Sequence, residues 1–400
     1  MTKPIPPAAP FPLERPNHFD PPAALGRLRE TAPVSPLAYP DGHTGWLVTR
    51  HALVRAVLAD PRFSARAELN HVPFARAGRA GELRPSPPGI FTRMDPPDHT
   101  RYRHLLTGQF TVRRMRALTT RVQEITTEHL DAMERHGPPV DLFEAFAQPV
   151  PALVICELLG VPYADREHFQ HHTAVLMRLD NAPQEMIASY TALQEFLGEL
   201  VRARRAEPGD DLLSGLTAAD LTDEELVNIG FVLLGAGFET TANMLALGAF
   251  ALLCHPGPLA VLRADPEAAD QAVEELLRHL SVAPFTTRTA LEDVELDGHP
   301  IKAGETVTVS ISAANRDPRK FADPDLLDLR RPTAGHLAFG HGIHQCLGQQ
   351  LARVEMRVGY PALFTRFPTL RLAVAPEEVP VRTDMLIYGV DRLPVAWDAT

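Results

Sequence analysis

Cys346 is the residue of this 400-residue sequence whose surroundings point most clearly to a particular chemistry. It belongs to the decapeptide FGHGIHQCLG, residues 339–348. The glycines of this loop, at positions 340, 342 and 348, are expected to allow turns with positive φ and the close approach of a flat ligand. Apolar residues at helical spacing after Cys346 predict a helix whose first amides and dipole would stabilise the sulfur as a thiolate. A thiolate on haem iron favours cleavage of an O–O bond.

The same residues allow two other interpretations. Most single cysteines are small core residues, and His341, His344 and Cys346 could together hold zinc. A structural zinc site normally needs a fourth protein ligand, and the nearby sequence has no paired Cys-x-x-Cys spacing. The pattern therefore favours iron.

At every fixed position the decapeptide resembles the haem-binding loop Phe-Gly-x-Gly-x-His-x-Cys-x-Gly of bacterial cytochromes P-450. This resemblance implies a mainly α fold with minor β structure, in which residues 1–400 form a single cytochrome P-450 domain with a proline-rich extension at 1–20. It implies haem b with Cys346 as the iron ligand, a long central helix on the distal side and the cysteine loop on the proximal side. It also implies haem contacts from Ala236, Phe339 and Gly348.

Haem propionates need cationic or strong donor partners if they are to be buried. His99 and Arg103 are four residues apart, on one face of a helix that we predict after Asp95, Pro96 and Pro97. Together with Arg288 and His344, they stand where the resembled motifs place the propionate partners.

The segment 222–254 is predicted to be a long buried helix, because Thr222-Asp223-Glu224-Glu225 has the form of a capping box and an apolar run follows it as far as Pro256. Its middle reads AGFETT, residues 236–241. The small Ala236 and Gly237 could let the helix bulge away from a haem.

An acid and an alcohol in this segment, Glu239 and Thr240, are costly to bury unless they are paired. The stretch resembles the oxygen-activation motif of the family, which implies that Thr240 hydrogen-bonds the activated oxygen and Glu239 relays protons. The alternative is that Thr240 bonds to a helix carbonyl and Glu239 pairs with a surface arginine.

Glu275 and Arg278 resemble the Glu-x-x-Arg pair of the family, which implies a structural ion pair one helical turn apart. The family often adds a third basic residue from a stretch that here reads Asp-Leu-Leu-Asp, residues 325–328, so the expected arginine is missing. Arg330, Arg331 and His336 are candidates to replace it.

The elements that must position these residues are mostly helical, with proline and glycine between them. We predict helices over 51–58, 113–135, 142–159 and 185–205, and strands over 46–49, 294–296 and 306–311. The stretch between Pro61 and Pro96 is long and weakly periodic, and the resemblance implies that it covers the substrate pocket.

The resemblance also implies where a substrate would bind. The implied pocket positions are nearly all apolar, so we expect a hydrophobic small molecule such as a polyketide, macrolide or terpenoid. Residues 166–202 would form a mobile lid of two helices joined near 181–183, in which Met177, Leu179, Met186 and Tyr190 could contact substrate or simply pack in the core. The pocket positions are Ile90, Phe91, Val232, Gly235, Ala236, Ala283, Pro284, Phe285 and Ile387.

Electrons are expected to come from outside the chain, since no Gly-x-Gly-x-x-Gly nucleotide fingerprint is present. The resemblance implies O2 as co-substrate and electrons from NAD(P)H through a ferredoxin reductase and a ferredoxin. An arginine surface on the proximal side could attract an acidic ferredoxin. Its members would be Arg113, Arg114, Arg116, Arg353 and Arg357.

The predicted function is a monooxygenase that hydroxylates or epoxidises its substrate in secondary metabolism or xenobiotic oxidation. A peroxide-driven enzyme and a non-catalytic binding domain of the same fold are the alternatives. The net charge of −11 argues against nucleic-acid binding. Residues 1–22 contain neither a signal nor an anchor pattern, and three scattered cysteines fit a reducing compartment. We therefore expect a monomeric cytoplasmic protein that is not bound to membranes.

Overall fold

The computed structural model describes residues 7–74, 84–109, 112–177, 181–265, 268–382 and 386–398. Helices dominate it and three small sheets accompany them, as the sequence predicts. The helices are α1 Ala23–Thr31, α2 His51–Ala59, α3 Asp98–Thr107, α4 Val112–His136, α5 Pro149–Leu159, α6 Arg166–Met177, α7 Pro183–Ala206, α8 Leu212–Thr217, α9 Asp223–Cys254, α10 Pro256–Ala264, α11 Ala269–Leu280, α12 Ile311–Ala314 and α13 Gln349–Arg366.

The N-terminus of helix α9 is stabilised by a capping box, in which side chains accept hydrogen bonds from the free amides of the first turn. Thr222 Oγ1 accepts from the amide of Glu225, and the Glu225 carboxylate accepts from the amide of Thr222. The helix is long and apolar enough to cross a membrane by composition, yet 67% of its most apolar window is buried inside the protein. It is thus the central core helix, packed against α5, α7 and α13.

The prediction of one helix over 142–159 is wrong in one respect. Residues Phe143–Ala147 form a π-helical turn, and α5 begins separately at Pro149. Proline has no amide hydrogen and fits the first position of a helix, so the chain restarts there. Gly160 ends α5 in the left-handed conformation, at φ 74°.

The strands form sheets at the side of this helical body. The strands are β1 Val34–Ala38, β2 Thr44–Val48, β3 Phe63–Ser64, β4 Val140–Asp141, β5 Phe285–Ala290, β6 Val294–Leu296, β7 His299–Ile301, β8 Thr306–Ser310, β9 Arg371–Leu372 and β10 Pro394–Ala396. The largest sheet has the order β1-β2-β8-β5-β3, and the smaller ones are β4-β10-β9 and β6-β7. Strand β5 pairs antiparallel with β8 from Phe285–Ser310 to Thr289–Thr306, and this pairing fixes Arg288 within the sheet.

Glu275 and Arg278 form a bidentate ion pair on α11, with nitrogen–oxygen distances of 2.6 and 2.8 Å, and both side chains are fully buried. Arg331 takes the place of the missing arginine, since its Nε lies 3.2 Å from Glu275 Oε1. His336 pairs instead with Glu274, at 2.9 Å. These buried ion pairs tie α11 to the segment that leads into the cysteine loop.

Candidate active site

A cavity of about 350 Å³ lies between α9 and the cysteine loop, within the size range of small-molecule sites. It brings together sequence segments from Leu58 to Met356. The predicted haem-site residues that line it are His99, Arg103, Ala236, Thr240, Arg288, Phe339, His344, Cys346 and Gly348.

The cysteine loop turns at two of its three glycines. Gly340 and Gly342 have φ of 69° and 74°, as predicted, whereas Gly348 has φ −80° and serves as the N-cap of α13. At Gly342 the close approach is to protein, because a Cβ there would lie 2.3 Å from the carbonyl oxygen of Leu58. Only a glycine therefore allows the loop to pack on α2.

The sulfur of Cys346 faces the cavity from the start of α13. Burial raises the pKa of this thiol, while the amide of Gly348, the guanidinium groups of Arg103 and Arg353, and the amide of Gln349 lower it. Burial is the larger effect and the pKa of the thiol is raised, while these donors and cations are the groups that would stabilise a thiolate on a bound metal ion.

His99 and His344 meet at one end of the cavity, with ring centroids 4.2 Å apart. Both nitrogens of His99 and Nε2 of His344 are buried without a hydrogen-bond partner among the described residues. Burial, followed by the charge of Arg103, lowers the pKa of His99 to about 4, and burial with Arg288 lowers the pKa of His344 to about 3. At pH 7 both imidazoles are therefore neutral, and each has an N–H group that can donate a hydrogen bond to a ligand in the cavity.

Arg288 and Arg103 approach the same end. Burial, and then the charge of Arg93, lowers the pKa of Arg288 to about 10. Burial also lowers the pKa of Arg103. Arg288 Nη1 donates to the carbonyl of Thr287 at 2.7 Å, which holds the side chain against the sheet.

Unpartnered imidazoles lie here beside partly desolvated guanidinium groups, and no described carboxylate is hydrogen-bonded to either histidine. Asp95, the nearby carboxylate, is already bonded to the hydroxyl of Ser64 and the amide of Ala65. The donor set therefore fits the two propionates of a haem, whose iron Cys346 would hold.

Thr240 faces the cavity from the middle of α9, which runs as continuous α-helix through Ala236 and Gly237. Thr240 Oγ1 donates to the carbonyl of Ala236 at 2.8 Å, one of the two alternatives left open by the sequence.

Glu239 is not among the residues that line the cavity and is 3% exposed. Its Oε2 lies 3.0 Å from Arg382 Nη1, and Asn243 Nδ2 donates to the same carboxylate at 3.4 Å. Burial raises the pKa of Glu239, and Arg382 and Asn243 oppose that rise. The arginine partner is not on the outer surface, as the sequence alternative supposed, since its side chain is 12% exposed.

The predicted substrate positions divide into two groups. Phe91, Val232, Ala236, Ala283 and Phe285 line the cavity. The predicted positions that do not line it are Ile90, Gly235, Pro284 and Ile387.

The proposed lid residues give no cavity contact in the described structure. Tyr190 on α7 packs edge-on against Phe231, with ring centroids 5.3 Å apart, and Met186 does not line the cavity. The side chain of Met177 and the whole of Leu179 lie outside the described residues. Tyr190 thus fits the core-packing alternative.

The predicted arginine surface is partly neutralised. Arg353 bonds to Glu274 at 2.5 Å and stacks over Phe339. Arg357 pairs with Asp270 at 2.8 Å. Arg114 bonds to the Gln109 side chain at 2.9 Å, and the side chains of residues 113 and 116 lie outside the described part.

Several lining residues were not predicted. Thr241 and Met244 follow Gly237 at four- and seven-residue spacing on α9, so helical periodicity could have found them. Glu355 lines the cavity from α13 and is fully buried; its only signal in the sequence is an acid in a helix next to the cysteine.

The family model described as cytochrome P-450 matches residues 40–387. A Streptomyces protein named cytochrome P-450 105C1 is 55% identical over 390 residues, which cover 97% of this chain and 98% of that protein. Pentalenic acid synthase of Streptomyces avermitilis is 44% identical over 392 residues and 97% of both chains. The crystal structure of CYP105P1 in complex with filipin I matches with a TM-score of 0.93 and 42% identity, covering 98% of this chain and all of that one.

Proposed function

Because the chain belongs to the cytochrome P-450 family of haem-thiolate monooxygenases, we propose that it inserts one oxygen atom from O2 into a hydrophobic polyketide, macrolide or terpenoid. The reaction would be a hydroxylation or an epoxidation in secondary metabolism or in xenobiotic oxidation. The single observation that carries the proposal is the cavity in which Cys346 lies across from the Thr240 segment of α9.

The haem, as haem b, would supply the oxidising chemistry when it is bound. Cys346 would hold the iron, with the amides of Gly348 and Gln349 and the charge of Arg103 stabilising its thiolate. His99 and His344 would donate to the propionates, and Arg103 and Arg288 would neutralise them. Ala236, Phe339 and Gly348 would contact the ring.

Glu239 and Thr240 are the proposed proton-delivery pair. The hydroxyl oxygen of Thr240 can accept a hydrogen bond from the cavity while the hydroxyl hydrogen is donated to the carbonyl of Ala236. Glu239 lies one residue earlier, on the side of α9 that Arg382 covers. Burial raises the pKa of Glu239 while Arg382 and Asn243 lower it, so the proton affinity of this carboxyl depends on where Arg382 lies, as a relay requires.

The substrate class rests on the cavity lining. Ile155, Val232, Val282 and Phe285 give the cavity apolar walls. Relatives of this chain include a pentalenic acid synthase and a protein crystallised with filipin I. Both names support a substrate of medium or large size.

Members of the family receive electrons from redox partners and act on small molecules. For this chain we propose a ferredoxin and a ferredoxin reductase that uses NAD(P)H, and a monomeric cytoplasmic protein. The ferredoxin would meet the surface around Arg114, Arg353 and Arg357, whose salt bridges leave part of each arginine accessible. Raising the ionic strength should slow reduction by ferredoxin, and a rate indifferent to salt would argue against this surface.

The carbon monoxide difference spectrum of the reduced protein tests the haem-thiolate assignment. The wild-type protein should give the thiolate-type Soret band, and Cys346→Ser should lose it. Polyketides, macrolides and terpenoids can then be screened for a shift of the ferric Soret band, and each hit incubated with O2, ferredoxin and reductase. Oxygenated product would support the proposal, whereas product formed with peroxide alone would favour the peroxide-driven alternative.

A further inference from the structure

The buried carboxylate of Glu239 is covered by a hairpin from the C-terminal part of the chain. Val381 and Val390 form an antiparallel bridge, and the amide of Arg382 donates to the carbonyl of Gly389 at 2.9 Å. Gly389 packs directly on Asn243, since a Cβ there would lie 1.8 Å from Asn243 Oδ1. The described part of the hairpin, residues 381–382 and 386–390, therefore packs against the middle of α9.

This contact places Arg382 between two carboxylates. Its Nη1 lies 3.0 Å from Glu239 Oε2 on the inner side, and its Nε lies 3.5 Å from Asp391 Oδ1 on the outer side. Its guanidinium carbon also lies 4.7 Å from the centre of the Phe143 ring. The side chain of Glu239 is 3% exposed and that of Asp391 is 54% exposed, so one guanidinium joins a buried acid to an acid in solvent.

The two contacts are unequal. The inner one has hydrogen-bond length, whereas the outer one is long and leaves Arg382 Nε buried without a hydrogen bond among the described residues. A small movement of the guanidinium toward Asp391 would satisfy Nε. It would also leave Glu239 with Asn243 as its remaining described polar partner.

We propose that Arg382 is a positioning residue shared between Glu239 and Asp391, and that its movement toward Asp391 lets the Glu239 carboxylate take up a proton from solvent for Thr240. The inference rests on the proposed role of Glu239. One O–H bond breaks in a hydronium ion of the solvent and one forms on Glu239; when the carboxyl passes this proton on towards Thr240 it is again an anion, and the Arg382 contact is restored. A buried carboxylate without a cation is unstable as an anion, which makes proton uptake the expected response.

Among the described residues, the polar and charged groups around Glu239 are those of Arg382, Asn243 and Asp391. Arg382 acts on it from the hairpin, and Asn243 contributes a neutral amide from α9 itself. Asp391 lies behind Arg382 on the same hairpin. Substitutions at Arg382 and Asp391 should therefore change the proton affinity of Glu239 in opposite directions.

Infrared difference spectra of the ferric holoenzyme, recorded during a pH titration, report on Glu239 without turnover. The band that disappears in Glu239→Gln identifies the carboxyl. Arg382→Gln should raise its proton affinity about tenfold or more, because a cation within hydrogen-bond distance is lost. Asp391→Asn should lower it, because Arg382 then stays on Glu239. Arg371→Gln, which breaks the exposed pair of Arg371 with Asp398, is the matched control.

The proposal is supported if the proton affinity of Glu239 rises in Arg382→Gln, falls in Asp391→Asn and is unchanged in the control. Titrations that match the control in both variants overturn it. If Arg382→Gln fails to fold, Asp391→Asn carries the test, since this side chain is largely exposed. The pH profile of product formation should then move to lower pH in Asp391→Asn.

The proposed function can fail separately from this inference. Infrared shifts of the expected sign together with a missing thiolate-type Soret band would reject the haem-thiolate assignment and keep the Arg382 contact. A normal Soret band with no infrared shift would reject the shared arginine alone.

Discussion

Arg331 Nε lies 3.2 Å from Oε1 of Glu275, across 56 residues of sequence. The same carboxylate accepts hydrogen bonds from Nε and Nη2 of Arg278 and from the amide of Asp328. Arg331 also donates to the carbonyl oxygens of Asp323 and Leu326, which link the ion pair to the chain before the cysteine loop. Two cations thus compensate one fully buried carboxylate.

Removing Arg278 should destabilise the protein more than removing Arg331. Arg278→Ala should lower the free energy of unfolding by about 4 kcal/mol, because it leaves a buried charge poorly compensated. Arg331→Ala should cost about 2 kcal/mol, because Arg278 remains. Urea denaturation measures both, with the exposed Arg371→Ala as a control that should cost at most about 1 kcal/mol. An Arg331→Ala effect no larger than the control would show that the contact is not stabilising.

The paired imidazoles at the end of the cavity should retain the haem. His99→Leu and His344→Leu should each raise the rate of haem loss about tenfold or more, because each removes a hydrogen bond to a charged group, about 1.5–3 kcal/mol. Transfer of haem to apomyoglobin measures that rate. His104→Leu, an exposed position on the same helix α3, should have no effect. Equal rates in all three variants would remove the histidines from the propionate site.

Thr240→Ala should uncouple electron use from product formation. The variant loses the hydroxyl in the cavity but leaves the helix intact, since the Thr240 back-bond only supplements the α9 ladder. The ratio of product to NAD(P)H consumed is expected to fall severalfold while the Soret band is preserved. Thr127→Ala removes an equivalent back-bond, from Thr127 Oγ1 to the carbonyl of Gln123, at an exposed position of α4 and should stay coupled. Unchanged coupling in Thr240→Ala would falsify the assigned role.

Stability should fall in acid through the α9 capping box. Burial raises the pKa of Glu225, but the bonds from Arg101, the Thr222 amide and Tyr102 outweigh it and hold the pKa at about 2. A carboxyl with a lowered folded pKa stabilises the protein above its unfolded pKa, and this stability is lost as the pH falls toward 2. Between about pH 4.5 and 2 the wild type should lose up to about 3 kcal/mol through this group.

Glu225→Gln should therefore have a flatter stability profile in that pH window and a lower free energy of unfolding at pH 7. Chemical denaturation at several pH values measures the slope. Glu128→Gln, at an exposed position on α4, should keep the wild-type slope. A wild-type slope in Glu225→Gln would place the acid-sensitive group elsewhere.

Local patterns were enough to predict much of this protein. The capping box, the apolar run and the stop at Pro256 predicted α9, because helix ends and faces depend on residues three or four apart. The same short-range geometry put His99 and Arg103 on one face of α3. The cysteine loop was identified from ten consecutive residues, by resemblance to a known family.

Non-helical segments were less predictable. Phe91 lines the cavity while its neighbour Ile90 does not, and Ala283 lines it while Pro284 does not. Outside regular helices, the direction of a side chain depends on the packing of the whole segment, and a sequence position does not define it. Gly348 illustrates the same limit, since it caps α13 with a φ of −80°, outside the left-handed region that we expected for it.

The sequence by itself determined the cysteine, its helix, the acid–alcohol pair and the elements that carry them. Only the tertiary structure decided the partners of the buried charges. Arg331 reaches Glu275 across 56 residues, and Arg382 reaches Glu239 across 143. At such separations the spacing along the chain does not predict which charged residues pair. These contacts form only when the core packs, because each buried charge then needs a nearby group that compensates it.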